Sequence, residues 1–326
     1  MEKEQIMSEK PDMKEVREFY ENMQAALQKF IVGYEDLIDT LTIALLSNGT
    51  VIIEGVPGTA KTSACKLFAK KIGGTFGRLQ GAVDIQPIDI LGMKTYSKEA
   101  GFKFVKGPVF SNIFLVDEMN RLTPKAQGAL LEAIAERQVT IDNERYHLAS
   151  PFMVIATQNP YEMEGTFMLI EAQKDRFTYS VQVNPLSAEE EMKILARDMN
   201  RELDLKEMLA KETEITTPEN ITRMQESIRS VYASDDILGY IADLVSATRK
   251  HSDVKLGVST RGSLALLHGS QAYAAIQGRG YIIPDDVKHL VPYVLSHRIM
   301  LKREAKLTGV TVENVISSIL ETVPVR

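Results

Sequence analysis

The stretch that most narrows the choice of fold is VIIEGVPGTAKT, Val51–Thr62. Its β-branched start reads as a strand, its Gly/Pro centre as a tight turn, and the residues from Lys61 to Ile72 as a helix. Strand, glycine-rich turn and helix in that order is the setting in which G-x-x-x-x-G-K-[ST] cradles phosphate. Backbone N–H groups of the turn face the phosphate oxygens, and the helix N-terminus adds favourable partial charge. Lys61 would then reach the β- and γ-phosphates, and Thr62 would offer its hydroxyl to Mg²⁺. Ala60 stands where the last glycine is expected. That residue is entering the helix, where a negative φ lets alanine replace glycine at little cost. Gly55 and Gly58 remain for the tight part of the turn. The opposing reading is a plain loop joining a strand to a helix, so the rest of the chain has to decide.

Apolar runs recur at Thr75–Leu79, Ile113–Val116, Phe152–Ala156 and Tyr179–Val183. They are continuous rather than alternating, as for strands buried on both faces of a parallel sheet. Helical patterns lie between them, one being PKAQGALLEAIAERQ with Pro124 at its first position. The alternation predicts an α/β sandwich. Leu91–Phe110 and Gln138–Leu148 interrupt it and read as hairpins, the second turning at Asp142-Asn143. Before the sheet, Phe19, Met23, Ala26, Leu27 and Phe30 recur at helical spacing, and another helix follows Gly33. After Pro185 the strand signals stop. Ser187 and Glu190 form a capping-box pattern, and further helices start near Thr217, Ser234, Ser259, Pro284 and Thr311. The expected organisation is a tail and helix over 1–30, an α/β core over 31–185 and a helical module over 186–326.

Phosphoryl chemistry needs a second acidic strand end, and IFLVDEMNR supplies one. Asp117 would hold Mg²⁺, and Glu118 would polarise the attacking water. Alone, this is equally a strand ending in solvated acids. Asn159, in ATQNP, ends the next strand at the same sheet edge and could orient the water, or simply start a turn before Pro160. Arg176 precedes the last strand, and Arg261 sits in the first turn of a helix. There it opposes the helix dipole, which favours an anionic neighbour. Either could equally be an ordinary surface ion-pair residue.

The bulk properties exclude several classes. With 326 residues, 44% apolar and 25% charged, the chain can bury a large core. No apolar run approaches the ~20 residues of a membrane span, and the polar, charged MEKEQIMSEK does not read as a signal peptide. Lone Cys65 fits a core position in a reducing, cytoplasmic compartment. A net charge of −6 disfavours a broad nucleic-acid footprint. The five histidines show no metal-ligand spacing, and the basic stretch His297–Lys306 reads as a solvated face. Tyr96, Phe102 and Phe104 read as local packing.

Taken together the motifs resemble an AAA+ ATPase, and within that group the MoxR family. The resemblance runs from about Phe30 to Val325, through IVGYEDLI, GVPGTAKT, PIDILG, KGPVF, FLVDEMNR, LLEAIAERQVTI, ATQNP, EAQKDRF, GVSTRGSLALL and YIIPDDVKHLVPYVLSHRI. It implies a P-loop AAA+ αβα sandwich with a five-stranded parallel sheet, followed by an all-α lid. It implies ATP and Mg²⁺ bound by Gly55, Pro57, Gly58, Thr59, Ala60, Lys61, Thr62, Ser63 and Asp117, with Val32 and Gly33 on the adenine side. Glu118 and Asn159 would match the Walker B glutamate and sensor 1. Arg176 would match the arginine finger reaching a neighbouring subunit, and Arg261 sensor 2 in its own subunit. The two hairpins would face the pore of a ring. The family implies a hexamer, a protein client and a separate partner bearing a von Willebrand factor A domain. The alternatives are the ATPase subunit of a metal chelatase, a nucleotide-gated adaptor with little turnover, and a DNA-directed motor. One departure stands out: Gln80–Asp89 lacks the aromatic often found after the first Gln of that segment.

Overall fold

The structure, a computed structural model, describes residues 12–55, 61–98, 101–159, 165–200 and 212–325. Two helices come first, α1 (Lys14–Gln28) and α2 (Glu35–Leu46). On α1, Val16, Phe19, Met23, Ala26 and Leu27 are buried, the three- and four-residue spacing of one helical face. There follow β1 (Val51–Gly55), α3 (Lys61–Lys71), β2 (Phe76–Gln80) and the short α4 (Pro87–Leu91). A hairpin of β3 (Gly92–Ser97) and β4 (Gly101–Lys106) leads to β5 (Ile113–Asp117) and α5 (Pro124–Glu136). A second hairpin, β6 (Gln138–Ile141) and β7 (Glu144–His147), precedes β8 (Met153–Gln158), α6 (Glu171–Lys174) and β9 (Tyr179–Val183).

Five of these strands form one parallel sheet in the order β2-β5-β8-β1-β9. Alternate side chains point to opposite faces, and the two faces bury separate apolar clusters. Val51, Ile53, Leu115, Ile155 and Val181 pack with α1, α2 and α3. Ile52, Phe114, Val116, Val154 and Ala156 pack with α5 and with Val139 of the second hairpin. The strand at the β2 edge departs from the continuous burial that the sequence predicts. Arg78 and Gln80 are exposed while Gly77 and Leu79 are buried, the alternation of a strand covered on one face only.

After residue 186 come α7 (Ala188–Met199), α8 (Pro218–Ile228) and α9 (Asp235–Lys250), then β10 (Val254–Leu256), α10 (Thr260–Ile276) and α11 (Pro284–Leu295). The chain ends with β11 (Met300–Leu301), α12 (Arg303–Leu307) and α13 (Val312–Thr322). The expected capping box forms: the Ser187 N–H donates to Glu190 Oε2 at 2.8 Å, and the Glu190 N–H to Ser187 Oγ at 3.3 Å. Sequence reading missed one ribbon in this helical part, β10 paired antiparallel with β11. Both strands are too short to show a period. Met224, Leu244, Leu266, Leu290 and Ile316 of this part join the first of the two apolar clusters. The helical part is therefore seated on one face of the sheet.

The hairpins pack on each other through Phe104 and Tyr146, whose ring centres are 4.2 Å apart, and through a 2.8 Å ion pair of Lys94 and Glu144. Local packing thus holds for Phe104. Tyr96 and Phe102 instead stay 65% and 76% exposed while touching each other.

Candidate nucleotide-hydrolysis site

The register brings the C-terminal ends of β5, β8 and β1 side by side, with Val116 and Ile52 both opposite Ala156. One residue further on, Asp117 and Thr157 are neighbours. The Thr157 hydroxyl donates to Asp117 Oδ1 at 2.8 Å and accepts the Glu118 N–H at 2.9 Å. The other Asp117 oxygen accepts from Thr62 Oγ1 at 3.2 Å and from Arg78 Nη2 at 2.9 Å. Burial opposes the charge on Asp117, but hydrogen bonds from Arg78, Thr157 and Thr62 outweigh it and hold its carboxyl below the usual range. Glu118 takes a left-handed backbone, φ 54°, and its carboxylate meets Arg121 Nε at 3.0 Å.

Lys61 is buried at the head of α3 and donates from Nζ to the Gly55 carbonyl at 2.9 Å. Burial lowers its pKa, while Asp117 and Glu118 pull the other way. Ser63 is half-buried two residues along, and Cys65 is fully buried with its thiol pushed up to about 12 by that burial. Asn159 follows β8 directly at the same edge. Beside it, Gln158 donates to Glu54 of β1 at 2.6 Å. Gly33 lies against the segment that leaves β9. Its φ is +71°, and a Cβ would fall 2.7 Å from Leu186 and 2.8 Å from Glu190, so glycine is required. Next to this Val32-Gly33 turn, Tyr34, Asp36, Val183, Leu186 and Glu190 line a cavity of about 230 Å³. Pro57, Gly58, Thr59 and Ala60 lie outside the described residues.

The missing aromatic also has a local cause. Gly81 donates its N–H to the Asp117 carbonyl at 2.6 Å, and a Cβ there would fall 2.1 Å from the Glu118 carbonyl oxygen. The backbone after β2 closes on the two acids too tightly for any side chain.

Thr62 and Asp117 present a hydroxyl and an ionised carboxylate, hard oxygen donors that fit Mg²⁺. Among the described residues no three His, Cys, Asp or Glu side chains group as a metal site. A cation held here would therefore complete its shell with water and phosphate.

The two arginines singled out from sequence lie elsewhere. In the parallel pairing Gly55 faces Val183 and Val51 faces Tyr179, so residues before Tyr179 lie at the opposite end of the sheet. The length of the strand, about 13 Å, separates the two ends. Arg176 is exposed there, with Nη1 3.3 Å from the Leu131 carbonyl. Arg261 reaches the same end, with Nη1 3.5 Å from Asp175 Oδ2. The expectation that Arg261 joins Lys61 and Asp117 within one subunit therefore does not match the structure. The helical part seats the start of α10 beside Asp175, not over the C-terminal strand ends.

The basic stretch read as a solvated face also divides. Arg298 is only 7% exposed. It donates to Asp175 Oδ1 and to the Thr178 carbonyl, both at 3.0 Å, and to the carbonyls of Phe177 and Val294. Lys302, Arg303 and Lys306 are exposed. Sequence reasoning missed Arg78, Thr157, Asp175 and Arg298. A polar residue in an otherwise apolar strand was the signal for Thr157; Arg298 gave none.

Residues 50–179 match the family described as ATPase family associated with various cellular activities (AAA), and residues 246–319 match the AAA lid domain. The chain is 41% identical to the Bacillus subtilis protein YeaC over 92% of each chain. It is 39% identical to chaperone MoxR1 of Mycobacterium tuberculosis over 91% of this chain and 80% of that one. A solved Cytophaga hutchinsonii structure, described as a candidate ATPase, superposes with a TM-score of 0.89 at 34% identity, covering 96% of this chain and 97% of the other.

Proposed function

The chain belongs to the MoxR family of AAA+ ATPases, and we propose that it hydrolyses ATP with Mg²⁺ as a ring, most simply a hexamer, to remodel a protein client. The observation that carries this reading is the division of the parts between the two ends of the sheet. Lys61, Thr62, Asp117 and Glu118 gather at one end, and Arg176 and Arg261 at the other. A heterologous ring sets one end of each subunit against the other end of its neighbour. Both arginines then serve the next subunit's phosphates.

In this reading Lys61 leaves the Gly55 carbonyl to meet the β- and γ-phosphates. Thr62 and Asp117 would hold the cation, and Gly55, Pro57, Gly58, Thr59, Ala60 and Ser63 would wrap the phosphates. The base lies towards Val32 and Gly33. Mg²⁺, when bound, neutralises charge on the phosphate oxygens. Glu118 takes the proton of the attacking water, which requires its carboxylate to part from Arg121. Asn159 orients that water. The hairpins β3–β4 and β6–β7 face the pore, where exposed Tyr96 and Phe102 meet the client. A separate protein with a von Willebrand factor A domain delivers the client, in the cytoplasm. Among the described residues no helix is long and apolar enough to cross a membrane.

Turnover measured against protein concentration tests the reading. ATP hydrolysis per subunit should fall as rings dissociate. A rate that stays flat down to monomer would remove the role of the neighbour's arginines. Pull-down with Glu118→Gln and ATP should trap the client on a closed ring.

A further inference from the structure

We propose that Arg298 is a positioning residue that sets the arginine each subunit offers to its neighbour. The inference rests on the trans-arginine reading above. Arg176 lies in the turn between α6 and β9, and its side chain is exposed. The backbone on both sides of it is fixed from the helical part. Arg298 Nε meets Asp175 Oδ1 at 3.0 Å, Nη1 meets the Thr178 carbonyl at 3.0 Å, and Nη2 meets the carbonyls of Phe177 and Asp175. His297 Nε2 donates to the same Phe177 carbonyl at 3.1 Å, and Ser259 Oγ donates to Asp175 Oδ2 at 2.8 Å. The turn's own amides are satisfied inward, Arg176 N–H to the Gln173 carbonyl at 3.1 Å and Phe177 N–H to the Lys174 carbonyl at 3.0 Å.

Residues 175 to 178 are thus held by one guanidinium that comes from more than a hundred positions later in the chain. Burying such a cation is unfavourable unless all its donors find acceptors. Apolar packing would seat the helical part without that cost. The planar five-donor fork does what packing cannot: it fixes carbonyls in several directions at once. Arg261 shares the Asp175 carboxylate, so one hub orients both arginines of this end. The seating of the helical part in one subunit thereby decides how its arginines meet the phosphate next door.

The test uses full-length rings. Arg298→Lys keeps the cation and loses the fork. It should lower turnover at least tenfold while leaving the nucleotide Kd within twofold and the Tm close to that of the parent. The defect should lie in what the subunit donates, not in its own pocket. Arg298→Lys mixed with Glu118→Gln before assembly should therefore recover activity, towards a quarter of the parent rate. Random mixing sets a sound pocket against a sound arginine at about one interface in four. Arg298→Lys mixed with Arg176→Ala should recover nothing. Arg176→Ala mixed with Glu118→Gln is the control for the underlying reading, and its failure to recover would sink both ideas. Recovery in that control without recovery of Arg298→Lys by Glu118→Gln overturns the positioning role alone. So does full turnover in Arg298→Lys beside an Arg298→Met that merely melts early, since Arg298 is then only a structural peg.

Discussion

At the C-terminal ends of its strands the central sheet gathers Asp117 and Glu118 around buried Lys61. At the N-terminal end of β9 it gathers Arg176, Arg261 and Arg298 around Asp175. On the proposed reading the first end grips the nucleotide; its described cations Lys61, Arg78 and Arg121 are held by the Gly55 carbonyl, Asp117 and Glu118. The second presents the exposed side chains of Arg176 and Arg261. On that reading neither end is a complete catalyst by itself, and the sheet keeps them apart. This difference then makes assembly part of the proposed chemistry.

The largest expected effect falls on the donating end. Arg176→Ala should lower kcat about 10³–10⁵-fold, with nucleotide affinity little changed, as steady-state turnover and equilibrium binding would show. Loss of binding by isolated subunits would instead place Arg176 in its own pocket and break the contrast. On the accepting end, Glu118→Gln should lower kcat by roughly 10²–10⁴ and still bind ATP. Near-normal turnover would remove the general-base role. Thr157→Val probes the support beneath both acids. It deletes a hydrogen bond to a carboxylate, typically about 1.5–3 kcal/mol, so kcat should fall roughly 10- to 100-fold. A change in Tm with no change in kcat would make Thr157 part of the packing only.

The smallest effect is one of pH, and it belongs to the donating end. His297 is held well below its ordinary value by burial, with Arg298 and Lys174 adding to the shift and the bond to the Phe177 carbonyl opposing it. The unfolded chain takes up a proton near pH 6.5 while the folded chain does not. This contribution is therefore complete above about pH 6.5 and shrinks as the pH falls below it. Tm should drop more steeply between pH 7 and 5 in the parent than in His297→Gln. Equal slopes would show that the imidazole is not the group responsible.

Much of the accepting end was legible in the sequence. A β-branched strand, a Gly/Pro turn and a lysine at a helix head are local signals, and Asp117 with Glu118 closes an apolar strand in plain view. Position relative to strand direction also put Arg176 before β9. The fate of Arg261 was not legible, because it depends on how α10 docks, and that is decided by apolar contacts far apart in the chain. Arg298 was hidden more completely. It stands in a basic stretch, and its acceptors are backbone carbonyls, which leave no trace in residue identity. The exposure of Tyr96 and Phe102 was equally unreadable, since a hairpin tip shows the same composition packed or bare.

The sheet is also a partition between two interiors. On one side the helices after residue 186 share their packing with β9 and β1, and on the other Val139 of the second hairpin shares its packing with α5. A shift at the strand ends that carry Asp117 can be passed to the hairpins through the second cluster, whose Phe177, tied to the helical part by Arg298 and His297, lies at the far end of the sheet. Nucleotide turnover could move the hairpins while the helical half keeps its grip on Asp175. Amide exchange that quickens in β6 and β7 on ATP binding, with α10 and α11 unchanged, is the signature of such one-sided traffic.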